Sequence, residues 1–174
     1  LSIISISFVM FDAHSQINEK ELINYAYEST YKPALSEKIL IKNANILTGR
    51  GDSIEGASIL MNENKIIAIG NNLDSSDAVI IDVEGKWVTP GIIDIHSHMG
   101  VYSAPSLRSN SDGNEATSPT TPHVWAEHSV WTQDPQYTLA LKGGITSFHV
   151  LVGSANLIGG RGVTLKNIRS RTVQ

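Results

Sequence analysis

The chain has 174 residues, of which 41% are hydrophobic and 17% are charged, and its formal net charge at pH 7 is −4. This length suits one or two ordinary domains. With 13 Lys and Arg against 17 Asp and Glu, no basic face is available to neutralise many phosphates, which argues against a nucleic-acid partner. The absence of cysteine excludes disulfides, thiolate metal sites and cysteine nucleophiles, so any metal would be bound by His, Asp or Glu.

The first 15 residues have the composition of an export signal. Residues 1–11 are uncharged and mostly apolar, and they are too few to cross a bilayer as a helix. Ala13 and Ser15 place small residues at the −3 and −1 positions of a cleavage before Gln16. We therefore expect a signal peptide over 1–15, lacking its basic start, and a protein exported to the periplasm or the medium. The alternative is a buried strand or helix that begins the domain.

The next segment is polar and is expected to be a tether over 16–37. Short β-branched runs separated by turn residues then predict four to six antiparallel strands in a module over 38–90. The predicted strands cover 39–47, 57–61, 65–70, 78–83 and 86–88. Arg50-Gly51-Asp52 matches an adhesion tripeptide, but a Gly-rich hairpin turn selects such residues by itself.

A strand carrying two histidines follows the module. Residues 92–98 read Ile-Ile-Asp-Ile-His-Ser-His, and strand alternation places Asp94, His96 and His98 on one face. Two imidazoles two residues apart on a strand are close enough to bind one metal ion, and imidazole is a ready ligand for zinc and similar cations. An exposed strand face can also carry two histidines without binding a metal.

The rest of the chain provides candidate substrate contacts. Residues 101–135 form a long polar segment that we expect to be a lid, with Trp125 and His128 lining a pocket or Trp125 merely anchoring the segment. A helix capped by Asp134, with Pro135 in its first turn, is expected to end at Gly143-Gly144. A second strand over 145–152 follows and is expected to run parallel to the first. His149 within it is expected to be a satisfied core residue rather than a ligand. The Gly-rich loop over 153–162 offers Asn156 and Arg161 to a substrate carboxylate or oxyanion; its glycines also serve turn geometry alone.

These motifs together resemble the metal-dependent amidohydrolase superfamily, in particular its exported branch related to imidazolonepropionases. The resemblance rests on hairpins that end in 87-WVTPGIIDIHSHMG-100, on Gly143-Gly-Ile-Thr-Ser147 and on 153-GSANLIGGRG-162, and it covers 38 to about 168. It implies an α/β fold, a small β-sandwich followed by a TIM-like (β/α)8 barrel. It also implies a divalent metal, zinc first among the choices, bound by His96 and His98.

The same resemblance predicts that the chain is an N-terminal fragment. A (β/α)8 barrel needs about 250 residues, so 91–174 would hold only its first two strands and one helix. The other ligands and the acid/base aspartate would lie outside this chain. The implied reaction is hydrolysis of a C–N bond in an amide, cyclic amide or dipeptide, with the fragment inactive by itself. The alternative is a non-catalytic pseudoenzyme or binding module with the same fold; the oligomeric state is left open.

Overall fold

The computed structural model describes residues 30–173. Residues 33–173 form one compact unit. The predicted signal peptide and most of the predicted tether lie outside the described residues. All the elements below belong to this unit. No helix within 30–173 is both long and apolar enough to cross a membrane.

The first sheet contains five strands. In chain order they are β1 (Ile39–Leu47), β2 (Ser53–Asn62), β3 (Lys65–Gly70), β4 (Val79–Asp82) and β5 (Trp87–Val88). Strands β1, β2 and β3 form an antiparallel meander, as predicted, and Glu63 and Asn64 turn from β2 into β3 with φ of 49° and 64°. The buried side chains of this sheet are Ala44, Ile46, Ala57 and Ile59.

The predicted antiparallel pairing of the last two strands is wrong. Both β4 and β5 pair in parallel with β1, along the edge that β2 leaves open. The Glu84-Gly85 turn does not fold β5 back on β4, because Gly85 N donates to Asn43 O at 2.7 Å and Asn45 N donates to Lys86 O at 3.0 Å. Pairing along β1 thus satisfies the backbone groups of both segments. Among the described residues the five strands belong to one hydrogen-bonded sheet, so the β-sandwich stays a prediction.

The second sheet carries the two histidines. Its strands are β6 (Ile92–Ser97), β7 (Ile145–Val150) and β8 (Val163–Lys166), in the order β6-β7-β8. Strand β7 runs parallel to β6, as the sequence predicted. Strand β8, which the sequence analysis did not predict, is antiparallel to β7. A complete barrel stays a prediction, since the second sheet of the described residues has these three strands.

One α-helix, α1 (Gln136–Lys142), connects β6 and β7. It begins at Gln136 with Pro135 in the N-cap position, one residue later than the predicted Asp134 cap, and Gly143 and Gly144 end it as predicted. Asp134 still accepts a hydrogen bond from Gln136 N. The ring of Tyr137 stacks on that of Phe148 in β7, with centroids 5.3 Å apart. Phe148 and Val150 form the core of this half of the unit together with Val101 and Ala126 from the segment before the helix.

Candidate metal and substrate site

The two predicted metal ligands lie side by side at the carboxyl end of β6. The ring centroids of His96 and His98 are 5.4 Å apart, and their planes meet at 80°. The two residues lie two positions apart at the end of the strand, a spacing that brings side chains to one face of an extended chain, although the pairing of β6 with β7 is irregular between Asp94 and Ser97. The structure therefore brings together the pair that the sequence singled out.

The backbone of the neighbouring strand orients His98. Its Nδ1 lies 2.9 Å from the carbonyl oxygen of Leu151, the residue that follows β7. A carbonyl oxygen only accepts hydrogen bonds, so Nδ1 carries the proton and Nε2 keeps its lone pair for another partner. Metal-binding histidines in proteins are held in this way, with one ring nitrogen bonded to a carbonyl and the other free for the metal.

The described residues bring together two candidate ligands and no third. Asp94 accepts a hydrogen bond at 3.1 Å from the backbone N–H of His96. Within 30–173, no group of three or more His, Asp or Glu side chains is placed to hold a metal ion. The two imidazoles therefore fit part of a zinc-type site, which takes three protein ligands when it is catalytic.

The segment predicted as a lid is folded into the unit. It contributes the buried residues Val101, Thr121 and Ala126, of which Thr121 is fully inaccessible. Asp134, which is 3% exposed, accepts hydrogen bonds from the backbone N–H groups of Gly100, Ala104 and Gln136 at 3.0, 3.3 and 2.9 Å. These contacts fix both ends of the segment next to the histidine strand and to α1.

Asn156 ties two loops together. Its Nδ2 lies 2.7 Å from the carbonyl oxygen of Glu115, 3.1 Å from that of Ser118 and 2.8 Å from Oγ1 of Thr121. An amide NH2 has two hydrogens, so these contacts use its full donor capacity. These contacts show that Asn156 holds the two loops together, and its role as a substrate contact stays a prediction.

The other three predicted substrate contacts, Trp125, His128 and Arg161, lie against one another. The guanidinium carbon of Arg161 lies 4.9 Å from the ring centroid of Trp125. The ring of His128 is parallel to the same indole, at 5.9 Å between centroids and 5° between planes. Trp125 and Arg161 also form a parallel β-bridge. We call these three side chains the Trp125 cluster.

A shallow cavity of about 140 Å³ lies beside the loop that Asn156 holds. Val101, Val124 and Val152 form its apolar part, and Asp112 and Glu115 contribute carboxylates. Hydrogen bonds from the side chain and backbone of Thr117 hold the pKa of the Glu115 carboxyl below its usual value. The sequence did not single out this cavity, because its lining comes from separate turns of an irregular segment.

His149 has a hydrogen-bond partner, as the sequence interpretation expected, but it is not a core residue. Its Nδ1 lies 2.9 Å from Oγ1 of Thr164, which is its cross-strand neighbour on β8. The ring is only half buried. His149 is therefore a hydrogen-bonded strand residue near the surface of the sheet.

Comparisons with known proteins relate the chain to amidohydrolases. No protein-family model matches the chain. The amidohydrolase tasK of Hapsidospora irregularis is 37% identical over 150 residues, which cover 76% of this chain and 15% of that protein. A dihydroorotase of Caldanaerobacter subterraneus subsp. tengcongensis is 39% identical over 82 residues, or 45% of this chain and 19% of that enzyme.

The structure is similar to a crystal structure of an amidohydrolase from Thermotoga maritima MSB8. The TM-score is 0.70 at 40% sequence identity, and the match covers 79% of this chain and 35% of that one. The chain thus spans between 15% and 35% of the length of these three proteins. Sequence and structure together support a place for the chain in the amidohydrolase superfamily, with a fold that is consistent with the N-terminal region of such an enzyme.

Proposed function

We propose that the complete protein is a metal-dependent hydrolase of C–N bonds in which His96 and His98 bind the metal. The observation that carries this proposal is the pair itself, with the His98 ring held by Leu151 so that Nε2 is free. The names of the similar proteins, amidohydrolase and dihydroorotase, support the same reaction class.

The residues of this chain would position the metal. His96 lies in β6 and His98 directly after it, which sets the spacing of the two imidazoles, and the Leu151 carbonyl fixes the rotation of the His98 ring. A divalent ion such as zinc supplies Lewis-acid polarisation of a carbonyl group and lowers the pKa of water. The remaining ligands and the acid/base aspartate would come from chain outside these residues, so we expect no hydrolysis by the 174-residue chain alone.

We extend the proposal to the substrate class of the complete protein. An amide, a cyclic amide or a dipeptide is the expected class, and the motif 153-GSANLIGGRG-162 favours the imidazolonepropionase-related branch. Each of these substrates contains a carbonyl carbon bonded to nitrogen, which is the group that a metal hydrolase attacks.

The ligand assignment is tested by the metal content of the full-length protein. After dialysis against zinc, wild type is expected to retain metal, while the double substitution H96A/H98A should reduce its zinc content to background. The matched control is H123A, which removes an exposed histidine from the same half of the chain. Zinc content is measured by mass spectrometry, and folding is checked by circular dichroism.

The same experiment separates the proposed enzyme from a pseudoenzyme or binding module. Retention of metal and of amide hydrolysis by H96A/H98A would show that other residues bind the metal. Absence of both from wild type, in a folded protein, would favour the non-catalytic alternative.

We also propose that residues 1–15 direct export. Their apolar composition and the small residues before Gln16 support it. Mature protein recovered outside the cytoplasm should begin at Gln16 when its N-terminus is sequenced. Recovery of an uncleaved N-terminus from the cytoplasm would contradict the proposal.

A further inference from the structure

The Trp125 cluster is assembled from two loops that follow neighbouring parallel strands. Trp125 and His128 lie in the loop after β6, and Arg161 lies in the loop after β7. Arg161 N donates to Val124 O at 2.8 Å, and Ala126 N donates to Arg161 O at 2.9 Å. The backbone of Arg161 is therefore fixed beside Trp125 on both sides of its peptide unit.

A glycine allows this close approach. Gly160 has φ of +136°, and a Cβ at that position would lie 2.5 Å from the carbonyl oxygen of Val124. Any larger residue would push the two loops apart. The position of Arg161 against the indole thus depends on a specific backbone arrangement.

The contact with the indole leaves donors of the guanidinium for an anion. The guanidinium carbon of Arg161 lies over the ring of Trp125, and an aromatic ring attracts the cation without accepting the hydrogen bonds that its five N–H groups can donate to an anion. An arginine already held in one orientation loses less freedom when it binds a carboxylate with two hydrogen bonds. The imidazole of His128, parallel to the same ring, adds an N–H donor in either neutral tautomer.

The cluster lies at the same end of the second sheet as the histidine pair. Ser97, Val150 and Val163 form one row across β6, β7 and β8. His98 lies one residue after Ser97, and Arg161 lies two residues before Val163. Because β8 runs antiparallel to β7, both residues lie beyond the same end of the sheet. Strands β6 and β8 are two inter-strand spacings apart, or roughly 10 Å.

We propose that Arg161, held against Trp125 and accompanied by His128, binds a carboxylate group of the substrate and so selects anionic amides. The role of this site in substrate selection rests on the proposed hydrolase function. The carboxylate site itself requires no metal, so it is tested separately.

The test compares two probes that differ only in charge, N-acetylglycine and N-acetylglycinamide. Saturation-transfer NMR of the acetyl methyl group measures their binding to the 174-residue chain after treatment with EDTA. N-acetylglycine should bind with a Kd on the order of millimolar, and the amide should bind about tenfold more weakly or not at all.

Substitutions then locate the site. R161Q should weaken binding of N-acetylglycine about tenfold, and R161K should weaken it by a smaller factor because lysine keeps the charge but loses the planar fork. W125L should weaken binding although it leaves every charge in place, because it removes the stacking surface. The matched control R169Q, which changes another exposed arginine, should bind as wild type does.

H96A/H98A separates the two proposals. If it loses metal but still binds N-acetylglycine, both assignments are supported. If wild type binds no metal yet prefers the acid over the amide through Arg161, only the hydrolase proposal fails. Equal affinity for the two probes, absence of binding by wild type, or undiminished binding by a folded R161Q would overturn the carboxylate site.

Discussion

Gly100 is a residue for which the local structure admits no side chain. Its φ is +84°, and a Cβ there would overlap the hydroxyl of Tyr137. That hydroxyl is buried and has no hydrogen-bond partner within 30–173. The contact joins the turn after the histidine strand to helix α1.

Substitution at these two positions should have opposite effects. G100A is expected to lower the free energy of unfolding by about 2 to 3 kcal/mol, through backbone strain and overpacking. Y137F should leave it unchanged or raise it by up to about 1 kcal/mol, since it removes an unsatisfied buried hydroxyl. Urea unfolding measures both, and a large loss in Y137F would indicate that the hydroxyl has a partner.

Tyr137 also predicts a dependence of stability on alkaline pH. Burial, with a smaller contribution from the negative charge of Asp134, raises the pKa of Tyr137 well above the ordinary tyrosine value. The unfolded chain loses this proton near pH 10 while the folded chain keeps it, so the free energy of unfolding should fall as pH rises above about 10. Comparison of wild type with Y137F isolates the effect, and identical pH profiles would contradict it.

Asp134 connects three backbone N–H groups through one buried carboxylate. D134A is expected to lower the free energy of unfolding by about 3 kcal/mol, because it leaves those donors without a partner. D134N keeps an acceptor oxygen and should cost less. Urea unfolding of both variants gives the comparison, and equal stability of D134A and wild type would mean that water replaces the carboxylate.

At the level of elements, the paired loops after β6 and β7 are the feature that builds the candidate site. Asn156 and the bridges Thr120–Ile158 and Trp125–Arg161 hold them together. Two loops after parallel strands meet at one edge of the sheet, where side chains from both can face one ligand.

Gly160 provides the test of this pairing. G160A should separate the loops and lower the free energy of unfolding by about 2 kcal/mol, since both φ and the contact with Val124 oppose a side chain. The near-ultraviolet circular dichroism of the tryptophans should change with it. L157A, at a position that is 86% exposed in the same loop, is the control and should leave both properties unchanged.

At the level of the whole molecule, both sheets leave apolar side chains uncovered among the described residues. Ile93 and Ile95 on β6 are 64% and 76% exposed, and Ile66 and Ile67 on β3 are 62% and 58% exposed. Large apolar side chains that are exposed together on a strand are typical of an interface.

The exposed surface predicts dye binding and self-association of the 174-residue chain. We expect the folded chain to bind the dye ANS and to associate at high concentration, and I93K/I95K to reduce both, because the charges break the patch. Fluorescence titration and light scattering measure the two effects. A folded, monomeric chain that does not bind ANS would show that other residues cover the strands.

The sequence by itself determined the features that depend on local pattern. Alternation along residues 92–98 placed His96 and His98 on one face, and the Asp-Pro start and Gly-Gly end delimited α1 to within a residue or two. The β1–β2–β3 meander followed from turn residues between β-branched runs. In each case the information lies within a few consecutive residues, where backbone preferences act directly.

Only the tertiary structure decided which distant segments pair. The parallel alignment of β4 and β5 with β1, the antiparallel β8, the role of Asn156 and the stacking of Arg161 on Trp125 all join residues tens of positions apart. Turn residues show where the chain can bend, but they do not show which sheet edge or aromatic ring the following segment will contact. That choice is made by the backbone hydrogen bonds and packing surfaces left open after the local elements have formed.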